Sequence, residues 1–91
     1  MSNGEWVTYK FVEVKWRDAN SSASWDKKAD LPKGSPCVTR GWLVGETLEE
    51  IQIAATIGYP NGPKEDPEFN QSIAIPQGMV EELQEMTWPV P

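Results

Sequence analysis

Residues 6–17, Trp-Val-Thr-Tyr-Lys-Phe-Val-Glu-Val-Lys-Trp-Arg, alternate apolar with polar positions, but the alternation changes phase midway. Val7, Tyr9 and Phe11 share one phase, whereas Val12, Val14 and Trp16 share the other. Side chains along a strand point to opposite faces in turn, so a switch at Phe11–Val12 moves the apolar set from one face to the other. The wealth of aromatic and β-branched residues argues for a strand here rather than a helix. A β-bulge or a sharp bend at Phe11–Val12 is therefore predicted, of the kind a small barrel needs in order to close.

The rest of the chain reads as further short strands separated by long polar connections. Residues 37–45 form a second strand, with Gly41 marking a bulge or the close approach of another backbone. Residues 50–57 form a third, with Ile51, Ile53, Ala55 and Ile57 on one face. Residues 70–75 form a fourth, with Ile73 and Ile75 in register. Between them, residues 18–36 and 58–69 are dense in turn-forming residues. Within the first of these connections, Ser24 is placed to cap a single helical turn over Trp25–Ala29. Pro76 suits the first position of a helix, and Met79, Val80, Leu83 and Met86 recur at helical spacing opposite Glu81, Glu82 and Glu85. The expected fold is mainly β (α+β): a small bent antiparallel sheet or SH3-like barrel of about four to five strands with one C-terminal helix. Residues 1–91 are read as a single domain.

Composition bears on function. The chain has five tryptophans, one cysteine and no histidine. Nucleophile–histidine pairs are therefore impossible within one copy, and no glycine-rich phosphate loop is present. Adjacent carboxylates such as Glu81/Glu82 do not converge on one substrate. Glu65-Asp66 with Glu68 lacks the regular oxygen spacing of a calcium loop. Cys37 alone supplies neither a disulfide nor a zinc site and reads as a small buried hydrophobe. No enzymatic activity, metal or cofactor is expected. No leader and no apolar run long enough to span a bilayer is visible, so a soluble intracellular protein without membrane association is expected.

Charge is unevenly distributed. Residues 1–45 carry seven Lys/Arg against five Asp/Glu, whereas residues 46–91 carry one Lys against nine Asp/Glu. The net charge of −6 argues against nonspecific nucleic-acid binding, which depends on clustered cations. An acidic face for a partner is predicted at Glu65, Asp66, Glu68, Glu81, Glu82 and Glu85. A second candidate site comprises Trp16, Arg17, Trp25, Arg40 and Trp42. Trp16-Arg17 and Arg40-Gly41-Trp42 each couple an indole with a guanidinium, a seat for an anion, a nucleotide or a carboxylate-bearing loop. The alternative is that Trp16 and Trp42 are core, while the arginines pair with Asp18, Asp26 or Glu13. Trp25 either anchors its loop on the core or faces a ligand, and Trp88 is free to meet a neighbour.

Four short motifs carry a resemblance. They are Trp16-Arg17-Asp18, Trp25 in a polar loop, Thr39-Arg40-Gly41-Trp42-Leu43-Val44, and Ile75-Pro76-Gln77-Gly78-Met79-Val80. Together they resemble the pattern of a loose group of small bacteriophage accessory proteins to which no reaction is assigned. The resemblance covers most of residues 10–86; the 58–69 loop and the Trp88 tail depart from it. It implies a phage source and, by analogy, an early accessory protein acting on the host. Small size, acidity and abundant tryptophan then fit a non-enzymatic protein of the host cytoplasm that inhibits or redirects a host protein, such as part of a defence system. Sequestration of a signalling nucleotide and a minor structural role in the virion are the alternatives. A homo-oligomer is compatible with each.

Overall fold

The computed structural model describes residues 6–19, 25, 27 and 34–87. It is mainly β. Strands β1 (Lys10–Asp18), β2 (Ser35–Glu46), β3 (Glu50–Gly58), β4 (Glu68–Pro76) and β5 (Val80–Glu85) form one antiparallel sheet in the order β4-β3-β2-β1-β5. A single 3-10 turn, Gln77–Met79, joins β4 to β5.

That short connection dictates the curvature. In a flat sheet the two outer strands of five would lie about 19 Å apart, whereas the steps from Pro76 to Val80 span at most about 14 Å. The sheet therefore curls, bringing its concave face around a small core. Val12 and Val14 of β1, Ile51 and Ile53 of β3, and Ile75 of β4 are buried there, with Trp16, Leu43 and Val80 packed against them. The 3-10 turn is held in place by the β2–β3 turn: the Gln77 N–H donates to Glu49 O at 2.8 Å, and Gln77 Nε2 to Thr47 O at 3.0 Å.

The expected C-terminal helix is not formed. Met79 ends the 3-10 turn, and Val80–Glu85 is the fifth strand. The helical spacing of Val80 and Leu83 loses to the open edge of β1, which offers a ladder of backbone partners and a row of cations. Lys15 faces Glu82 in register at 3.7 Å, Arg17 meets Glu81 at 2.9 Å, and Lys10 meets Glu85 at 3.8 Å. Cross-strand pairs of this kind stabilise a sheet much as four-residue spacings stabilise a helix. All six side chains are exposed, so each pair contributes little. Glu82→Lys is expected to lower stability by less than about 1 kcal/mol, with the loss shrinking at ~1 M salt. Urea titrations at low and high salt would check this.

The bulge expected at Phe11–Val12 is also absent. Pairing of β1 with β2 runs unbroken from Lys10↔Leu43 to Asp18↔Ser35. The irregularities lie elsewhere, between Lys15 and Trp16 against β5, and between Leu43 and Gly45 against β3. The phase conflict has a different resolution: both faces of the sheet are apolar where they overlap. Val12, Val14 and Trp16 face the core, whereas Phe11 points to the convex face beside its register partner Trp42. The same double coverage corrects the third strand. Ala55, expected in the core row, is exposed, and Ala54 is buried opposite Trp42. The helical turn expected over Trp25–Ala29 falls, apart from Trp25 and Lys27, outside the described residues.

Candidate functional site

The convex-face aromatics form a trough. Phe11 and Trp42 meet edge to face with ring centroids 5.0 Å apart. Tyr9 meets Phe69 of β4 at 5.7 Å, and Trp6 meets Tyr59 at 4.9 Å, both nearly perpendicular. Such T-shaped pairs set the positive edge of one ring against the negative face of the next. Hydrogen bonds to the backbone position the walls. The Val7 N–H donates to Pro63 O at 2.8 Å, and the Tyr59 hydroxyl donates to Val7 O at 2.5 Å, strapping residues 6–9 to the β3–β4 loop. At the other end, the Met86 N–H donates to Phe11 O at 2.7 Å and extends the β5 pairing.

Two hollows share Thr8, Tyr9 and Trp42 as their common wall. The larger, of about 910 Å³, is completed by Lys10, Phe11, Glu85, Met86 and Thr87. The smaller, of about 200 Å³, is closed by Ile57 and Tyr59 and has no charged side chain in its lining. Removing the Tyr59 hydroxyl tests the strap. Tyr59→Phe is expected to cost about 1 kcal/mol of stability and to speed amide exchange at Val7, since one hydrogen bond contributes about that much. Exchange measured by NMR on the variant and the parent would show it.

The residues singled out from sequence are dispersed. Trp16 lies on the core side, and its Nε1–H donates to Thr39 Oγ1 at 3.0 Å. Trp42 lies on the convex side, so the two indoles do not form one wall. Arg17 donates to Glu81 Oε2 at 2.9 Å and to Gly34 O at 3.1 Å. Arg40 donates to Glu13 Oε2 at 2.6 Å, the carboxylate directly opposite it in the ladder. Both guanidiniums are thus engaged within the sheet. Trp25 is fully exposed, at 105%, rather than packed onto the core. Trp88 lies outside the described residues.

The acidic candidates divide into two groups. Glu81, Glu82 and Glu85 are neutralised by β1 cations, whereas Glu65, Asp66 and Glu68 are exposed and enter no salt bridge among the described residues. Cys37 is half-buried, with its thiol 3.5 Å from Ser35 O. Among the described residues no group of three metal-ligating side chains converges. No helix among them is long and apolar enough to cross a membrane.

Of the trough-lining residues, sequence reasoning singles out Trp42 and Glu85 as site candidates. Tyr9, Phe11 and Tyr59 are missed as site residues, although the phase switch within residues 6–17 is a signal for Tyr9 and Phe11. A strand whose apolar residues change phase without a bulge must bury something on each face. Comparison of the chain with protein-family models, with curated proteins and with solved structures finds no match.

Proposed function

We propose that this chain is a non-catalytic binding protein that acts by gripping another protein in the trough around Tyr9 and Trp42. The observation that supports this reading is a half-exposed row of rings outside the core, strapped in place by the Tyr59–Val7 and Val7–Pro63 hydrogen bonds. Rigid aromatic rings are the side chains that most often dominate protein interfaces, because they bury much area while losing little rotamer freedom. The strand order and the 3-10 turn before the last strand agree with an SH3-like barrel as the scaffold. Under the resemblance drawn from the sequence, the partner is a host factor in a phage-infected cell, such as a defence component. Nucleotide sequestration gains no support, because Arg17 and Arg40 are held by Glu81 and Glu13.

The test is a photo-crosslinking amino acid placed at Thr8, on the exposed floor shared by both hollows, in the protein expressed in host cells. A single crosslinked protein is expected, with the adduct lost on Tyr9→Ala and retained on Leu48→Ala, at the exposed β2–β3 turn. An adduct insensitive to Tyr9→Ala, or no adduct at all, overturns the reading.

A further inference from the structure

The smaller hollow and its rim select the same chemical group. Tyr9, Trp42 and Tyr59 surround the hollow, and Thr8 and Ile57 close it without adding charge. Ring faces carry partial negative charge and attract cations, best of all a guanidinium, which is flat, weakly hydrated and stacks on indole and phenol. The cations already on these strands are not available to fill this role: Lys10 is paired with Glu85, and Arg40 with Glu13.

The rim supplies longer-range attraction. The β3–β4 loop folds back at Tyr59, with the Gly62 N–H donating to Tyr59 O at 3.3 Å and the Glu65 N–H to Gly62 O at 3.2 Å. This places Glu65 and Asp66 on the loop whose Tyr59 lines the hollow, whereas Glu68, next to the Phe69 ring that packs on Tyr9, points to the opposite face of β4. Two exposed carboxylates without a salt bridge among the described residues, Glu65 and Asp66, thus lie on the loop that supplies one wall of an uncharged aromatic hollow, on a chain of net charge −6. A field of this sign draws in basic partners and repels acidic ones.

The trough is longer than one side chain. Beyond Trp42 it continues to Phe11 and Met86 through the larger hollow. An extended segment can fill both at once, and a polyproline II conformation does so with little ordering cost on aromatic walls. We infer that the trough takes an extended segment of a basic partner protein, with one arginine seated among Tyr9, Trp42 and Tyr59 and the flanking residues lying toward Phe11 and Met86. This rests on the protein-binding reading above and names the chemistry of its partner.

Calorimetric titration of the full chain with a synthetic arginine–proline repeat peptide tests the inference, beside matched peptides carrying citrulline or glutamate in place of arginine. Citrulline keeps the shape of arginine and lacks the charge. The arginine peptide is expected to bind about tenfold more tightly than the citrulline one, as a desolvated cation–ring contact permits, and the glutamate peptide not at all. Tyr9→Ala should abolish binding while Tyr9→Phe keeps it, and the combined variant E65Q and D66N should weaken it several-fold at low salt. Circular dichroism of each variant confirms that the sheet is intact. Equal affinity for the arginine and citrulline peptides, binding unchanged in a folded Tyr9→Ala, or no binding of the arginine peptide overturns the inference. A persistent Tyr9-dependent crosslink from Thr8 in any of those cases leaves the protein-binding reading standing; loss of both removes both.

Discussion

Ile51→Ala is expected to destabilise the protein by about 2–5 kcal/mol, the range for removing a buried isoleucine to the β-carbon. Ile51 is wholly inaccessible and faces Ile75 across the β3–β4 ladder. The reason to expect the upper part of that range is the size of the core. Only Val12, Val14, Ile51, Ile53 and Ile75 make up its fully buried cluster among the described residues, so few neighbours can close the gap. A domain of this length has roughly 5–14 kcal/mol of stability in all. The variant should therefore be partly unfolded at growth temperature, and Ile51→Val should lose only about 0.5–1.5 kcal/mol. Urea denaturation followed by tryptophan fluorescence compares the three proteins. An Ile51→Ala midpoint close to that of the parent would mean that the concave face is not the core.

Gly41→Ala should have the next largest effect, about 1–3 kcal/mol, with the melting temperature falling by about 4–8 °C for each. Gly41 is buried in the middle of β2, opposite Val12. A β-carbon there would stand 2.6 Å from Ile53 Cγ2 and 2.7 Å from the backbone oxygen of Ala54. The Cγ2 methyl belongs to a β-branched side chain packed in the core, and the carbonyl cannot move without disturbing the β2–β3 ladder. Gly45→Ala is the matched control. Its β-carbon would meet the Gln52 side chain, whose amide end is free to swing aside. Thermal melts should leave Gly45→Ala within about 0.5 kcal/mol of the parent. Equal losses in the two variants would remove the close-approach explanation for Gly41.

The glycine illustrates which features were legible in sequence. A glycine inside an apolar strand signals either a bulge or a close backbone approach, and the structure shows the latter. The strands read from local pattern are present because alternation and β-branching are local properties, visible in Ile51/Ile53, Ile73/Ile75 and Val12/Val14. The final segment was misread because Pro76, Met79, Val80, Leu83 and Met86 satisfy a helical pattern equally well. What decided it was an unpaired β1 edge 64 to 75 residues earlier in the chain, with Lys10, Lys15 and Arg17 facing three glutamates. No local window contains that edge.

The candidate site follows the same division. The sequence by itself determined that this chain is rich in strand, without histidine and acidic in its second half, since these depend only on residue type and spacing. It also carried the phase change at Phe11–Val12, which a bulge, a sharp bend or a second apolar face can satisfy. Only the tertiary structure decided between them. Register with β2 places Trp42 beside Phe11, and the return of the β3–β4 loop brings Tyr59 to Trp6, so the convex face has its own apolar cover and no bulge is needed. Arg17 and Arg40 were assigned in the same way, by which carboxylates the neighbouring strands set opposite them. Pairing across strands depends on contacts between residues far apart in the chain, and it turned an irregular strand pattern into an aromatic trough.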